Sequence, residues 1–299
     1  MFVLLRRLLL IFLCLPSGLW AMACATTDDL GQVYNAAQPP QRVISLSPHI
    51  TELVYSLGAE ERLVAVSEYS DYPPQAQQLP VAAGYGTVNA EAILAFAPDL
   101  ILAWPDKASA SVLQRLEASG IRVLRSDPRD YAGIARNLRW LGCVLGQPLR
   151  GEEQAQALEK RVDELRQKYS QRRPVRVFYQ LGGQPVFSQN KDTYIHQAIE
   201  LCGGVNLFAD ALAMAPLVST EAVVALDPDV IITADDGSGM PPWLQAWQRF
   251  SMMKAVREGN LLAMNADLLF RPTLRFVDGT EQLCELIDRA RQSPAADAP

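Results

Sequence analysis

One phrase occurs twice in this chain. Asn89-Ala-Glu91-Ala-Ile-Leu-Ala-Phe-Ala-Pro98-Asp99-Leu-Ile-Leu-Ala103 returns as Ser219-Thr-Glu221-Ala-Val-Val-Ala-Leu-Asp-Pro228-Asp229-Val-Ile-Ile-Thr233. Each copy opens on a helix-capping residue, puts a glutamate in the first turn and runs through an apolar helix. Each then turns at Pro-Asp and ends in a short aliphatic strand. Glu91 and Glu221 lie about 130 residues apart, the size of one small domain. A chain built this way folds as two alike α/β halves. Where they face each other they leave a cleft, and each half carries one carboxylate at the start of the same helix. That symmetry suits a two-lobed binding protein with matched acidic knobs for a partner.

Length agrees, since 299 residues make about two domains. Hydrophobic residues are 49% of the chain, enough for two cores, and the net charge of −6 offers no basic stripe for a nucleic acid. The first residues read as an export signal. Arg6 and Arg7 form a basic start, Leu8 to Leu15 an apolar run, and Ala21-Met22-Ala23 a small-x-small cleavage site. Pro16 and Gly18 interrupt the apolar run, which is too short to span a bilayer. Residues 1–23 are therefore expected to be a signal peptide and the mature protein to be periplasmic.

Cys24 stands at the site where bacterial lipoproteins carry their lipid. Leu19 and Trp20 lie too far upstream for a good lipobox. An ordinary cleaved terminus is expected, with a lipid anchor at Cys24 as the alternative. Cys14 leaves with the signal, so Cys143, Cys202 and Cys284 remain in the folded part. Export permits a disulfide, and three cysteines leave one over. Cys143, inside Trp140-Leu-Gly-Cys-Val-Leu145, reads as a small buried hydrophobe.

Residues 24–41 are polar, contain Pro39-Pro40 and read as a linker. From Arg42 to Leu145 short aliphatic strands alternate with helices, which gives a parallel sheet covered by helices. The stretch 151–173 differs. Leu158, Val162, Leu165 and Tyr169 recur at helical spacing among charged residues, with no internal Gly or Pro after the start. It reads as one stiff helix joining a first lobe, 42–150, to a second, 174–292. A tail at 293–299 is expected to be disordered.

The residues also resemble a known family. Arg42-Val-Ile-Ser-Leu-Ser47-Pro48-His49-Ile-Thr-Glu52 and Val66-Ser-Glu-Tyr69-Ser-Asp71-Tyr72-Pro73-Pro74-Gln-Ala76 resemble the periplasmic cobalamin-binding proteins that feed an ABC importer. So do Leu201-Cys202-Gly-Gly-Val-Asn-Leu-Phe208 and the two copies of the repeat. The resemblance implies two Rossmann-like lobes joined by a single backbone helix, with ligand in the cleft between them. It also implies a Cys202–Cys284 bridge and a corrinoid as ligand.

A corrin is a broad, partly apolar disc edged with amides, and it needs aromatic faces plus a few directed hydrogen bonds. Tyr69 and Trp104 stand where the family places aromatic contacts, and Tyr85 where it has a tryptophan. Asp267 and Arg271 match its polar contacts from the second lobe. Leu181 and Ala215 depart from the family, each standing where it has an aromatic. Core packing is the competing account of the aromatics. Glu91 and Glu221 match the glutamates that the family docks on basic sockets of the membrane permease. Compensation of the helix dipole is the competing reason for an acid there.

Two histidines, His49 and His196, are too few and too far apart for a first-row metal site, and no metal or cofactor is expected. His49 follows Ser47-Pro48 at a strand end and is a candidate ligand contact. His196 reads as a surface or internally satisfied side chain. No nucleophile elbow, Walker loop or dinucleotide fingerprint occurs, so no catalytic residues are expected. The reading is a solute-binding protein for cobalamin or a related corrinoid, monomeric when free. The rivals are a haem- or siderophore-binding protein and an exported hydrolytic enzyme using Asp71 with His49.

Overall fold

The computed structural model describes residues 24–84, 87–235 and 239–292. The expected signal peptide, the tail and Tyr85 lie outside these residues. A hairpin of β1 (Cys24–Thr27) and β2 (Val33–Ala36) comes first. The first lobe follows with β3 (Val43–Ser45), α1 (Pro48–Ser56), β4 (Leu63–Ser67), β5 (Val81–Gly84) and β6 (Thr87–Val88). It continues with α2 (Ala90–Ala95), β7 (Leu100–Ala103), α3 (Ala110–Ala118), β8 (Arg122–Arg125) and α4 (Tyr131–Val144). Helix α5 (Pro148–Tyr169) leads to the second lobe, which opens with β9 (Val175–Gln180), α6 (Tyr194–Leu201) and β10 (Gly204–Asn206). There follow α7 (Thr220–Leu226), β11 (Val230–Asp235), α8 (Pro242–Gln245), α9 (Lys254–Arg257), β12 (Leu261–Asn265) and α10 (Leu274–Gln292).

The first sheet has the order β6-β5-β4-β3-β7-β8 and is parallel except where β6 returns along β5. The second has the order β10-β9-β11-β12 and is parallel throughout. Within the first, β4-β3-β7-β8 matches the second strand for strand, and the repeated phrase supplies α2 and β7 in one, α7 and β11 in the other. β7 and β11 are buried along their whole length, as strands covered on both faces must be.

The Pro-Asp turn has the same construction in both lobes. Ala97 and Asp227 take left-handed backbone conformations just before the proline. Asp99 then accepts the backbone N–H of Arg42, and Asp229 that of Arg176. Each arginine reaches back to the end of the preceding helix, Arg42 to the Phe96 carbonyl and Arg176 to that of Leu226. The chemistry the two copies share thus ties helix, turn and neighbouring strand into one unit.

Helix α5 is 22 residues long, roughly 33 Å. It starts earlier than the sequence suggests because Pro148 is well suited to a first helical position. Leu158, Val162, Leu165 and Tyr169 are buried as their spacing predicts. It packs against α4 very closely: a Cβ on Gly151 would meet the Leu138 carbonyl oxygen at 2.5 Å. Arg139 of α4 bridges Glu152 and Glu159 of α5, and Arg161 binds Asp278 of α10. One hydrophobic core runs through α1, α4, α5, α6 and α10 and is shared by both lobes, while the opposite face of each sheet has its own smaller core.

Cys202 and Cys284 are bridged, tying the end of α6 to α10. The other two cysteines correct the sequence reading. Cys143 is not a free buried thiol; it is bonded to Cys24. That bond occupies the sulfur a lipid anchor at Cys24 would use. Nor is 24–41 a plain linker. The hairpin buries Tyr34, whose ring lies under the Arg122 guanidinium at 4.8 Å, and the disulfide staples it to α4.

Candidate functional site

Parallel strands deliver their functional loops at their carboxyl ends. Here β3 runs into Ser47-Pro48-His49, β4 into Tyr69 and Asp71, β7 into Trp104 and β8 into Ser126-Asp127. In the second lobe β12 runs into the segment holding Asp267 and Arg271. These loops meet. Arg271 Nη1 donates to Asp71 Oδ1 at 2.6 Å and to Glu52 Oε1 at 3.0 Å. Both acceptors belong to the first lobe.

Glu52 is the centre of this clasp. Its side chain is only 3% exposed. It also accepts from Arg275 Nη1 at 3.2 Å and from Thr273 Oγ1 at 2.9 Å. The Arg275 guanidinium in turn lies 3.9 Å from the centre of the Tyr72 ring. Burial raises the Glu52 carboxyl's pKa, and the arginines and Thr273 pull against it. Burial also pushes up Asp71, but its contact with Arg271 outweighs this and holds the carboxyl below its usual range. Arg271, expected to face a ligand, is engaged with carboxylates; its Nη2 also lies 3.5 Å from Asp267 Oδ1. Half of the Asp267 side chain is in solvent.

Two predicted aromatics stand open. Tyr69 is 65% exposed and Trp104 50%. Tyr69 has a φ of 61°, a left-handed conformation that costs a residue with a Cβ about 1–2 kcal/mol. The clasp begins two residues later, at Asp71. The Trp104 indole Nε1 donates to Asp127 Oδ1 at 3.2 Å.

His49 does not join them. It is 6% exposed. Ser47 Oγ lies 2.7 Å from its Nδ1 and Ser126 Oγ 3.1 Å from its Nε2. Burial lowers its pKa to about 4, with Ser126 and Asp127 working against the shift. His49 is therefore a neutral internal strut of the first lobe rather than a ligand contact. The pairing of Asp71 with His49 fails with it, because Asp71 is bound to Arg271 and His49 to two serines. His196 is buried as well, near Asn206 and Glu200.

On the second lobe, Leu181, Phe187 and Leu217 form a short bridged ladder and Ala215 is exposed. Trp243, in α8, is a further aromatic on this lobe that no sequence motif marks. Its half-buried indole lies against Gly183, where a Cβ would meet the ring at 3.4 Å, and its Nε1 donates to Thr233 Oγ1. It gives this lobe an aromatic face beside β9 and β11. A hollow of 340 Å³ beside the clasp is lined from both lobes by Glu52, Tyr55, Tyr72, Thr273 and Arg275.

Glu91 and Glu221 are exposed in the first turns of α2 and α7. Asn89 Oδ1 accepts the N–H of Glu91 at 2.9 Å, and Ser219 Oγ that of Ala222 at 3.1 Å. The caps satisfy the helix ends, which leaves both carboxylates free of that task. Among the described residues no helix is long and apolar enough to cross a membrane, and no group of three or more His, Cys, Asp or Glu could hold a metal ion.

Two parallel-sheet lobes, a rigid helix between them and strand ends meeting at a common seam define a helix-linked, two-lobed binding protein. A profile described as Periplasmic binding protein matches residues 43–268, and the chain belongs to that family. It is accordingly a binding protein and not an enzyme. The vitamin B12-binding protein of Vibrio cholerae serotype O1 (strain ATCC 39541) is 39% identical over 254 residues, 85% of this chain and 91% of that protein. The crystal structure of the periplasmic vitamin B12 binding protein of Vibrio cholerae superimposes with a TM-score of 0.77 at 38% identity, covering 85% of this chain and 99% of that one. A periplasmic heme binding protein from Pseudomonas aeruginosa follows the same fold with a TM-score of 0.72 at 28% identity, covering 86% and 94%.

Proposed function

We propose that this protein captures cobalamin or a related corrinoid between its lobes and delivers it to the permease of an ABC importer. The observation that carries the reading is the similarity along nearly the full length to relatives named for vitamin B12 binding. The exposed Tyr69 and Trp104 support it, since a corrin disc needs aromatic faces. Asp267 offers an acceptor for the amides at its rim. In this reading Glu91 and Glu221 dock on basic sockets of the permease, where desolvated charge pairs couple by about 1.5–7 kcal/mol. The protein works as a monomer that is not lipid-anchored at Cys24, because that sulfur serves the disulfide.

Titration of the chain from Cys24 with cyanocobalamin, by calorimetry and absorption, tests the ligand. Saturable binding at one site is expected. A second reading, haem, is favoured by the haem-binding neighbour and by the exposed Tyr69, since a tyrosinate can ligate haem iron. Saturation by hemin with no response to cyanocobalamin would replace the corrinoid by haem.

A further inference from the structure

Trp104 leaves β7 half exposed, and a tryptophan so placed would sample several orientations unless something held it. Asp127 does so from the end of β8. One carboxylate oxygen accepts the indole N–H. The other accepts from Arg129 Nε at 2.9 Å and Nη2 at 2.7 Å. Asp127 is itself held through its backbone: its N–H donates to Asp29 Oδ2 at 2.6 Å. Asp29 lies in the hairpin loop between β1 and β2. The same oxygen accepts from Asn137 Nδ2 at 2.7 Å, and Asn137 Oδ1 accepts from Ser126 Oγ at 2.6 Å. Next to it, Asp28 Oδ2 accepts the Arg125 N–H at 2.7 Å, and the Asp29 N–H donates to the Arg125 carbonyl at 3.2 Å. The hairpin loop thus binds the end of β8 on both sides of Ser126. Its own position is fixed by the Cys24–Cys143 bond and by Tyr34 under Arg122.

From this chain of contacts we propose that Asp127 is a positioning residue that fixes the Trp104 indole for the ligand, and that the stapled hairpin acts through Asp29 to fix Asp127. The proposal rests on the corrinoid reading for its affinity readout only. Its physical content is preorganisation: a side chain ordered before capture need not be ordered by the ligand, which is worth a factor of about three to ten in affinity. The hairpin then contributes to ligand binding through Asp29 and Asp127.

The test uses the chain from Cys24 with Asp127→Ala, Asp29→Ala, Trp104→Phe and the two aspartate changes combined with Trp104→Phe. Two readouts are taken: cyanocobalamin affinity by calorimetry, and the indole N–H NMR signal of Trp104, identified by its absence in W104F. D127A is expected to shift that signal, to speed its hydrogen exchange and to weaken affinity about three- to tenfold. D29A is expected to do the same to a smaller extent. In the W104F background both aspartate changes should alter affinity less than about twofold, although any loss of thermal stability persists. Equal weakening in both backgrounds, or an unmoved indole signal in D127A, overturns the proposal. D127A decides the matter by itself should D29A fail to fold. A wild-type protein that ignores cyanocobalamin but whose indole signal responds as described removes the corrinoid reading and leaves the positioning role standing.

Discussion

In the first lobe the helix-to-strand turn reads Ala97-Pro98-Asp99, and in the second Asp227-Pro228-Asp229. Both use a left-handed residue before the proline and an aspartate that accepts an arginine's backbone N–H. Around this shared device the lobes diverge. Asp99 is exposed, whereas Asp229 is buried and also binds Lys254 Nζ at 2.7 Å. The first lobe has a sheet-edge hairpin and an open wall with Tyr69 and Trp104. The second has the aliphatic Leu181 and Leu217, Trp243 held against Gly183, and the arginines that reach across the seam. What the lobes keep alike is the backbone that aims Glu91 and Glu221 outward. What they vary is the surface each turns toward the seam. On the proposed reading, docking makes a symmetric demand on this fold and ligand recognition does not.

Breaking the symmetric part should have the largest effect. Glu91→Ala combined with Glu221→Ala is expected to abolish uptake by cells while cyanocobalamin titration of the purified protein stays unchanged. Wild-type uptake by the double variant would remove the docking role. Next comes the seam. Glu52→Ala leaves Arg271 and Arg275 without their buried partner, and such a break costs about 3–5 kcal/mol. Urea unfolding should show it, and a loss under 1 kcal/mol would mean the clasp holds little.

The internal histidine gives a pH signature confined to the first lobe. Unfolded His49 titrates near 6.5 and folded His49 near 4. Between those values the unfolded chain binds more protons, so stability is complete above the upper value and falls as pH drops toward the lower. The loss amounts to at most about 3 kcal/mol. Unfolding curves between these pH values should be steeper in pH for wild type than for His49→Asn. The smallest effect sharpens the lobe comparison directly. Asp229→Ala should cost about 2 kcal/mol and Asp99→Ala about 1 kcal/mol, because the hydrogen bonds lost are part-buried in the first case and exposed in the second. Equal losses would show that burial of the second-lobe turn is of no consequence.

The repeat made both lobes, the order of elements and the stiff helix readable, because apolar spacing and Pro-Asp turns act within a few residues. Tyr69 and Trp104 were picked out by resemblance to the family, and the structure leaves both exposed. The clasp was not readable. Glu52 meets Arg271 and Thr273 across more than two hundred residues, and nothing local marks an acid in an apolar helix as the partner of distant arginines. His49 misled for the opposite reason: a strand-end position suggested exposure, but Ser47 and Ser126 close over it. The hairpin hid behind its polarity. Thr27 and Asn35 face outward while Cys24 and Tyr34 are buried. Cys24 looked like a processing mark because its partner lies 119 residues away.

A crystal structure of the mature chain with cyanocobalamin tests the central claim most directly. The account places the corrin in the open seam, in contact with Tyr69 and Trp104 on one side and with the Asp267 segment on the other. A corrin held by one lobe alone, or seated away from the seam, would contradict it.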